Sequence, residues 1–413
     1  MTSSSEERES SLTRGDPLQK QPQRHEEEDG EFAPEEQRKI IHRIDHRLIV
    51  MLGFLHTVSL IDRGNIGTAA VAGMKQELRL VGTQYSIIAV AFFPPYICLQ
   101  PLGPVLIRKI GPINYLTGVC FIWGVVMRGL GGLGAWRWIF VIQGLITCVI
   151  AAISYFVLVD FPDKMLTSKR PFLQPNEYEF ILRRIERDRG DTALEPFNWK
   201  HYLRAGLDWN IWAFGLIYFC TTTTAYAISH FLPIIYNEGM GFSMGVSLCL
   251  FAPPYAAAGT VMFATLWVGD RYRIRGVVIV FNAMLTLIGL PLMGFATSNA
   301  ARLVGAFFIT MGANSNVLAT MAYQANNVRG QWKRAICSAI FVGLGASGGM
   351  TGSLVYREQD APTYRPGICT CMGLTGLSIV LVALLSIRLR AKNRQADRGE
   401  LVIGNLEGFR YTL

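Results

Sequence analysis

Ile211-Trp-Ala-Phe-Gly-Leu-Ile-Tyr-Phe-Cys-Thr-Thr-Thr-Thr-Ala-Tyr-Ala-Ile-Ser229 runs without a charged residue. A helix of about 20 residues crosses the ~30 Å hydrocarbon core of a bilayer, so this stretch is long enough to span one. Val246–Trp267, Val277–Phe295 and Ile368–Ile387 also lack Asp, Glu, Lys and Arg. One such stretch fits a buried core helix. A series of them, separated by short charged loops, cannot be packed into a single soluble core. Working outward gives ten predicted spans: Leu48–Ala69, Gln84–Ile107, Ile113–Met127, Trp138–Phe161, Ile211–Tyr236, Val246–Trp267, Val277–Phe295, Ala301–Met321, Ala335–Tyr356 and Ile368–Ile387. Composition agrees. The 413 residues are 51% hydrophobic and 17% charged, where soluble domains carry about 25% charge. Mean hydropathy is +0.29.

The chain divides accordingly into five parts. Residues 1–40 are rich in Ser, Glu and Arg and predict a disordered cytoplasmic tail. No apolar core follows a basic start, so no signal peptide is expected. Residues 41–162 predict an N-terminal membrane bundle, 163–208 a central cytoplasmic loop, 209–388 a six-helix C-terminal bundle and 389–413 a second cytoplasmic tail. Segments on one side hold most of the Lys and Arg: Arg108-Lys109, the long segment Asp163–Asp208, Arg271–Arg275, Arg329–Arg334 and the tail from Arg388. Basic loops stay inside, so both termini are expected in the cytoplasm. The same bias accounts for the net charge of +9 without a nucleic-acid partner. The eight cysteines all fall in apolar spans and read as small buried side chains. No metal-ligand spacing, phosphate loop or nucleophile motif is present, so neither an enzyme nor a cofactor is expected.

The two bundles carry traces of duplication. Pro94-Pro95 and Pro253-Pro254 fall in the second span of each half, and a short basic glycine-containing loop follows each span. In the second half that loop is Gly269–Gly276, with Asp270, Arg271 and Arg275 as candidate gating residues.

Polar groups inside apolar spans are the candidate site. Asp62 lies fifteen residues from Arg47, about 22 Å along a helix, and a charge at that depth costs at least ~2.5 kcal/mol unless it is paired or faces a polar cavity. Arg63 is the candidate anion-binding group and Asp62 the candidate proton-coupling carboxylate. Alternatively both cap the helix at the outer interface. Tyr218, Thr222, Tyr226 and His230 form a stripe at four-residue spacing, with Tyr226 as the cavity-lining candidate and His230 expected nearer the outer edge. Asn316, Thr320, Gln324 and Asn327 form another, with Asn314 close by. Asn314 and Asn316 are the candidates there, and Gln324 and Asn327 are expected at the cytoplasmic mouth. Gly345, Gly348, Gly349 and Gly352 are spaced for close helix packing.

Leu60-Ile-Asp-Arg-Gly-Asn-Ile-Gly67, Ala135-Trp-Arg-Trp-Ile-Phe-Val-Ile-Gln-Gly144, Met321-Ala-Tyr-Gln-Ala-Asn-Asn-Val-Arg329 and Gln359-Asp-Ala-Pro-Thr-Tyr-Arg365 resemble segments of the fungal anion:cation symporters of the major facilitator superfamily. The nearest branch is similar to nicotinic acid permeases. The resemblance implies an all-α membrane protein of two helical bundles, working as a proton-coupled symporter of a small organic anion in the plasma membrane. It also implies twelve helices, where this sequence offers about ten. The third span ends at Met127, and Arg128–Gly134 resembles the loop before the family's sixth helix. Helices four and five are missing by this reading, together with the Arg and Glu usual on helix four. Gln143 stands where the sixth helix commonly has Glu. The other expectation is therefore a non-transporting membrane protein: a sensor, a partner of a full-length relative or an incomplete gene product.

Overall fold

A computed structural model describes residues 33–91, 93–99, 114, 135–158, 173–189, 206–329, 331–361, 363–403 and 409–413. The side chains of 56, 57 and 59–63 lie outside that description, those of Asp62 and Arg63 among them. So does the third predicted span, Ile113–Met127, with the junction at Met127-Arg128, apart from residue 114.

The described chain is helical and contains no strand. Helix α1 is Pro34–Ala69. It begins inside the stretch read as disordered tail and well before the predicted start at Leu48. Pro34 opens it, where a missing N–H costs nothing, and Glu35 and Glu36 sit at the positive end of its dipole. Ile40 and Ile44 then pack with Leu173, Tyr178 and Ile181, which gives the extra turns a small core. The helix passes into a wide turn, Ala70–Met74, where Gly73 takes φ 106°, a left-handed conformation open to glycine. The second span appears as α2, Gln84–Ala91, and α3, Phe93–Leu99, with Pro94 and Pro95 in the first turn of α3. Helix α4 is Ala135–Val157, and α5, Pro175–Arg189, is the amphipathic helix of the central segment.

The C-terminal half follows the predicted spans closely. Its helices are α6 Trp209–Ile234, α7 Met244–Tyr272, α8 Arg275–Phe295, α9 Asn299–Asn327, α10 Gln331–Val355 and α11 Arg365–Asp397. Asp208, Ser243 and Ser298 cap α6, α7 and α9 by accepting backbone N–H groups. Helix α11 continues past the expected boundary at 388, so the predicted tail begins as helix. Among the described residues seven helices, α4 and α6 to α11, are long and apolar enough to cross a membrane. Phe156, Phe263 and Ile387 project from them into the surroundings, as lipid-facing side chains do.

Without a hydrophobic drive between helices in lipid, close backbone approach supplies much of the packing. Glycines decide where that occurs. A Cβ on Gly305 would sit 2.6 Å from the Met293 nitrogen and 2.8 Å from the Gly289 oxygen, which locks α9 onto α8. The predicted small-residue run on α10 packs on α6: Gly348 lies against the Phe219 carbonyl and Gly352 against that of Thr223. The obstructing atoms are backbone and cannot move aside cheaply.

Gly305→Ala should therefore destabilise the protein by about 1–3 kcal/mol. Gly259→Ala, where nothing lies within 4 Å, should be neutral or stabilise by up to ~1 kcal/mol. Thermal unfolding in detergent checks both. Equal effects would contradict a glycine-locked α8–α9 contact.

Candidate functional site

The two halves meet where α1 crosses α6. A Cβ on Gly67 would sit 2.5 Å from the His230 oxygen, and one on Gly64 would touch Ser229 Oγ at 3.4 Å. The contacts advance in the same direction along both sequences, so α1 and α6 run parallel here. Asp62 and Arg63, just before Gly64 on α1, therefore lie at the same level as Tyr226, one turn before Ser229–His230 on α6. Tyr226 packs edge-on to Phe93 of α3, with ring centroids 5.4 Å apart. It thus stands where α3, α6 and α10 converge, since Gly349 of α10 also faces Phe93.

His230 is at the seam and 2% exposed. Its Nδ1 is 3.1 Å from Ser353 Oγ, and its carbonyl accepts the Tyr85 hydroxyl at 3.0 Å. The Tyr–Thr–Tyr–His stripe thus splits between two roles. Tyr218 stacks on Phe341 at 3.9 Å inside the C-terminal half, while Tyr226 faces Phe93 of the N-terminal half and His230 meets that half through its carbonyl.

The structure also separates the two asparagines. Two positions on a helix are about 200° apart. Asn314 is half-buried, and its amide donates to the Thr310 carbonyl at 2.9 Å. Asn316 is 3% exposed and lines a void enclosed by α6, α8, α9 and α11. Gln324 and Asn327 lie toward the far end of α9, where Asn327 Oδ1 accepts the Thr412 N–H at 2.8 Å.

One end of the seam is tied by charge. Lys75 Nζ donates to Glu238 Oε1 at 3.1 Å, and Tyr364 Oη donates to the other carboxylate oxygen at 3.1 Å. Beside this lies a small void lined by Lys75, Tyr85, Phe231 and Tyr364 among others. In the N-terminal half Glu77 accepts Trp136 Nε1 and Arg137 Nη1, each at 2.5 Å. The Trp136 hydrogen bond, helped by Arg137, holds the Glu77 carboxyl below its ordinary range. That contribution to stability is present above the ordinary carboxylate range and is lost as pH falls through the depressed value.

At the opposite end of α7, Arg275 is buried and donates to exposed Asp270. Its stem fills the place beside Gly269, where an added Cβ would lie 3.2 Å from Arg275 Cδ. Of the three loop candidates this joins Asp270 and Arg275, and leaves Arg271 exposed. Lys75, Tyr85, Glu238 and Tyr364 were not singled out from the sequence. All but Tyr85 sit in a loop or at a helix end, where a polar residue is ordinary, and only the tertiary contact marks them. Among the described residues no group of three or more His, Cys, Asp or Glu could hold a metal.

Comparison with known proteins fits this arrangement. The profile of the Major Facilitator Superfamily matches residues 115–353. An uncharacterized transporter of Schizosaccharomyces pombe is 25% identical over 92% of this chain and 91% of its own length. A high-affinity nicotinic acid transporter of Saccharomyces cerevisiae is 22% identical over 89% of this chain and 80% of its own. A major facilitator-type transporter of Emericella nidulans is 19% identical over 90% of each.

If Lys75–Glu238 holds this end shut, Glu238→Gln should loosen it. Exposed pairs are worth about 0.2–1 kcal/mol, so a cysteine at Ser86, beside the void, should react with a maleimide up to about fivefold faster in solubilised protein. Mass spectrometry of that peptide gives the rate. An unchanged rate would show that the ion pair does not close the seam.

Proposed function

The chain belongs to the Major Facilitator Superfamily, and from that premise we propose that it is a secondary active transporter of a small organic anion, a nicotinate-like monocarboxylate moved together with a proton. It is an integral membrane protein whose relatives are named as transporters. The observation that carries the finer reading is the α1–α6 crossing, which brings Asp62, Arg63 and Tyr226 to one level between the halves. A guanidinium pairs with a carboxylate through two parallel N–H bonds, which a lysine cannot reproduce. Arg63 is assigned to the substrate carboxylate, Asp62 to the proton, and Tyr226 to the substrate's ring or stem. Asn314 is the remaining polar member. Asn316, walled inside the C-terminal half, is left out of this set. The Asp270–Arg275 staple, with Arg271 beside it, is proposed as the gate at the cytoplasmic end, with both termini on that side, about ten spans and the plasma membrane as location.

The alignment with the S. pombe relative extends over 459 positions while covering 92% of 413 residues, about 380. The difference, about 80 positions, is relative sequence facing nothing here, and it would hold two helices of ~20 residues with their loops. This supports the reading that helices four and five are absent. It also favours a second possibility, a membrane protein that does not transport by itself.

The experiment is uptake of labelled nicotinate, and of a panel of small carboxylates, in cells lacking their own permeases. The 413-residue chain is compared with a form carrying two helices after Met127, at equal surface level. The restored form is expected to transport and to stop when a protonophore collapses the gradient, while the short form transports poorly. In the active form Arg63→Lys should weaken substrate binding about tenfold or more, ~1.4 kcal/mol, and Asp62→Asn should remove the pH dependence. Normal, pH-responsive uptake by both variants would overturn the assignment. Full activity of the short form would overturn the gap reading.

A further inference from the structure

We infer that residues 409–413 form a strap that lies across one end of the C-terminal half and restrains the Asp270–Arg275 loop, an inference that rests on the reading of that loop as a gate. The segment returns to the helix it follows. Helix α11 ends at Asp397, and Gly399 takes φ 76°, which turns the chain out of the helix line. Eighteen residues beyond Asn393 the chain meets Asn393 again.

Phe409-Arg-Tyr-Thr-Leu413 alternates apolar and polar side chains, the two-residue period of an extended chain. The apolar set packs. Tyr411 and Leu413 lie against the cluster that holds Val278 of α8 with Val382 and Leu389 of α11. Phe409 stands edge-on to Tyr411, ring centroids 5.6 Å apart, with the Arg329 guanidinium 4.4 Å over its ring. Arg410 pairs with exposed Asp397 at 2.6 Å. Two asparagines hold the backbone. Asn393 of α11 accepts the Tyr411 N–H and donates to the Tyr411 carbonyl, both at 2.9 Å. Asn327 of α9 accepts the Thr412 N–H at 2.8 Å while donating to the Tyr323 carbonyl at 2.9 Å. Each amide thus uses both its donor and its acceptor. This gives a purpose to Asn327, which the substrate reading leaves unused.

The strap reaches the gate through Gly276. A Cβ added there would lie 2.8 Å from Ser386 Oγ of α11 and 3.4 Å from the Leu413 carbonyl carbon. The first turn of α8 is therefore held between α11 and the strap. Arg275, one residue before, is the buried partner of Asp270. A swing of that loop that carries the first turn of α8 toward the strap must displace it. The hold is light enough to release. Its hydrogen bonds are few, and all five residues keep part of their surface exposed, the condition under which segments open locally without global unfolding.

Hydrogen exchange read by mass spectrometry tests the strap on the purified full chain in detergent. In the parent, peptides covering 409–413 should be protected. Tyr411→Ala with Leu413→Ala removes the apolar anchors without touching a helix, and Asn393→Leu removes two bonds at similar volume. In either variant, protection of 409–413 should be lost and peptides covering 270–276 should exchange about tenfold faster, the factor that ~1.4 kcal/mol carries. Exchange within α6 should stay as it was. If Asn393→Leu does not fold, the double variant alone decides. An unprotected 409–413 in the parent, variants that keep it protected, or unchanged exchange at 270–276 after its release would each overturn the inference. A second readout separates the strap from the gate. In the form that transports, the double variant should raise the uptake rate at equal surface level. Faster exchange with unchanged uptake would keep the strap and overturn the assignment of the loop as gate.

Discussion

Gly67 has no room for a β-carbon. The carbonyl of His230 occupies the place where one would be, 2.5 Å away, and that exclusion sets how near α1 can come to α6. Much else follows from the approach. It places Asp62 and Arg63 at the level of Tyr226, and it leaves the His230 carbonyl free to accept Tyr85 from α2. The seam closes with the Lys75–Glu238–Tyr364 cluster a few turns beyond. Helices in lipid gain little from burying apolar surface against each other, so backbone contact and buried hydrogen bonds must position them. The same device recurs at Gly305 against α8 and at Gly348 and Gly352 against α6. One physical rule thus shapes both the interior of the C-terminal half and its junction with the other half.

Polar side chains at that junction and inside the half have different lives. Those on the seam bond across it, as Tyr85 does to His230. Those inside turn their protons back onto their own helix, as Thr221 and Thr375 do. The first kind can break and reform when two rigid halves move, at the cost of a hydrogen bond or an exposed ion pair. The second kind stays fixed within its own helix. A transporter needs both, a junction that opens and bundles that do not.

Much of the fold was legible because the membrane imposes it. Charge-free stretches near twenty residues located α6, α7, α8 and α11, and the structure starts each two or three residues earlier, with Asp208 and Ser243 capping the first two. The early start of α1 was missed because Glu35–Arg47 is too polar to read as a span, while its Ile40 and Ile44 needed Leu173 and Ile181 to show their purpose. The site was legible in part. Tyr226 stood out as a ring on a polar stripe. Asn314 and Asn316 looked like one feature in sequence, and the helix turns them apart. Glu238 and Tyr364 gave no signal, since residues at helix ends declare themselves only through distant partners. Whether Asp62 and Arg63 meet a substrate depends on side chains beyond the described residues, but their backbone level follows from the crossing.

That crossing is the claim on which the account rests, and cross-linking tests it without requiring transport. Cysteines placed at Gly64 and Ser229, in protein lacking its native cysteines and held in membranes, are exposed to a mild oxidant. Because a Cβ on Gly64 would lie 3.4 Å from Ser229 Oγ, the account predicts rapid disulfide formation in most molecules, and none for a control pair at Gly53 and Ser229, since a Cβ on Gly53 would meet nothing within 4 Å. Failure of the Gly64–Ser229 pair to close, or equal closure of the control, would contradict the α1–α6 contact and with it the placement of the site.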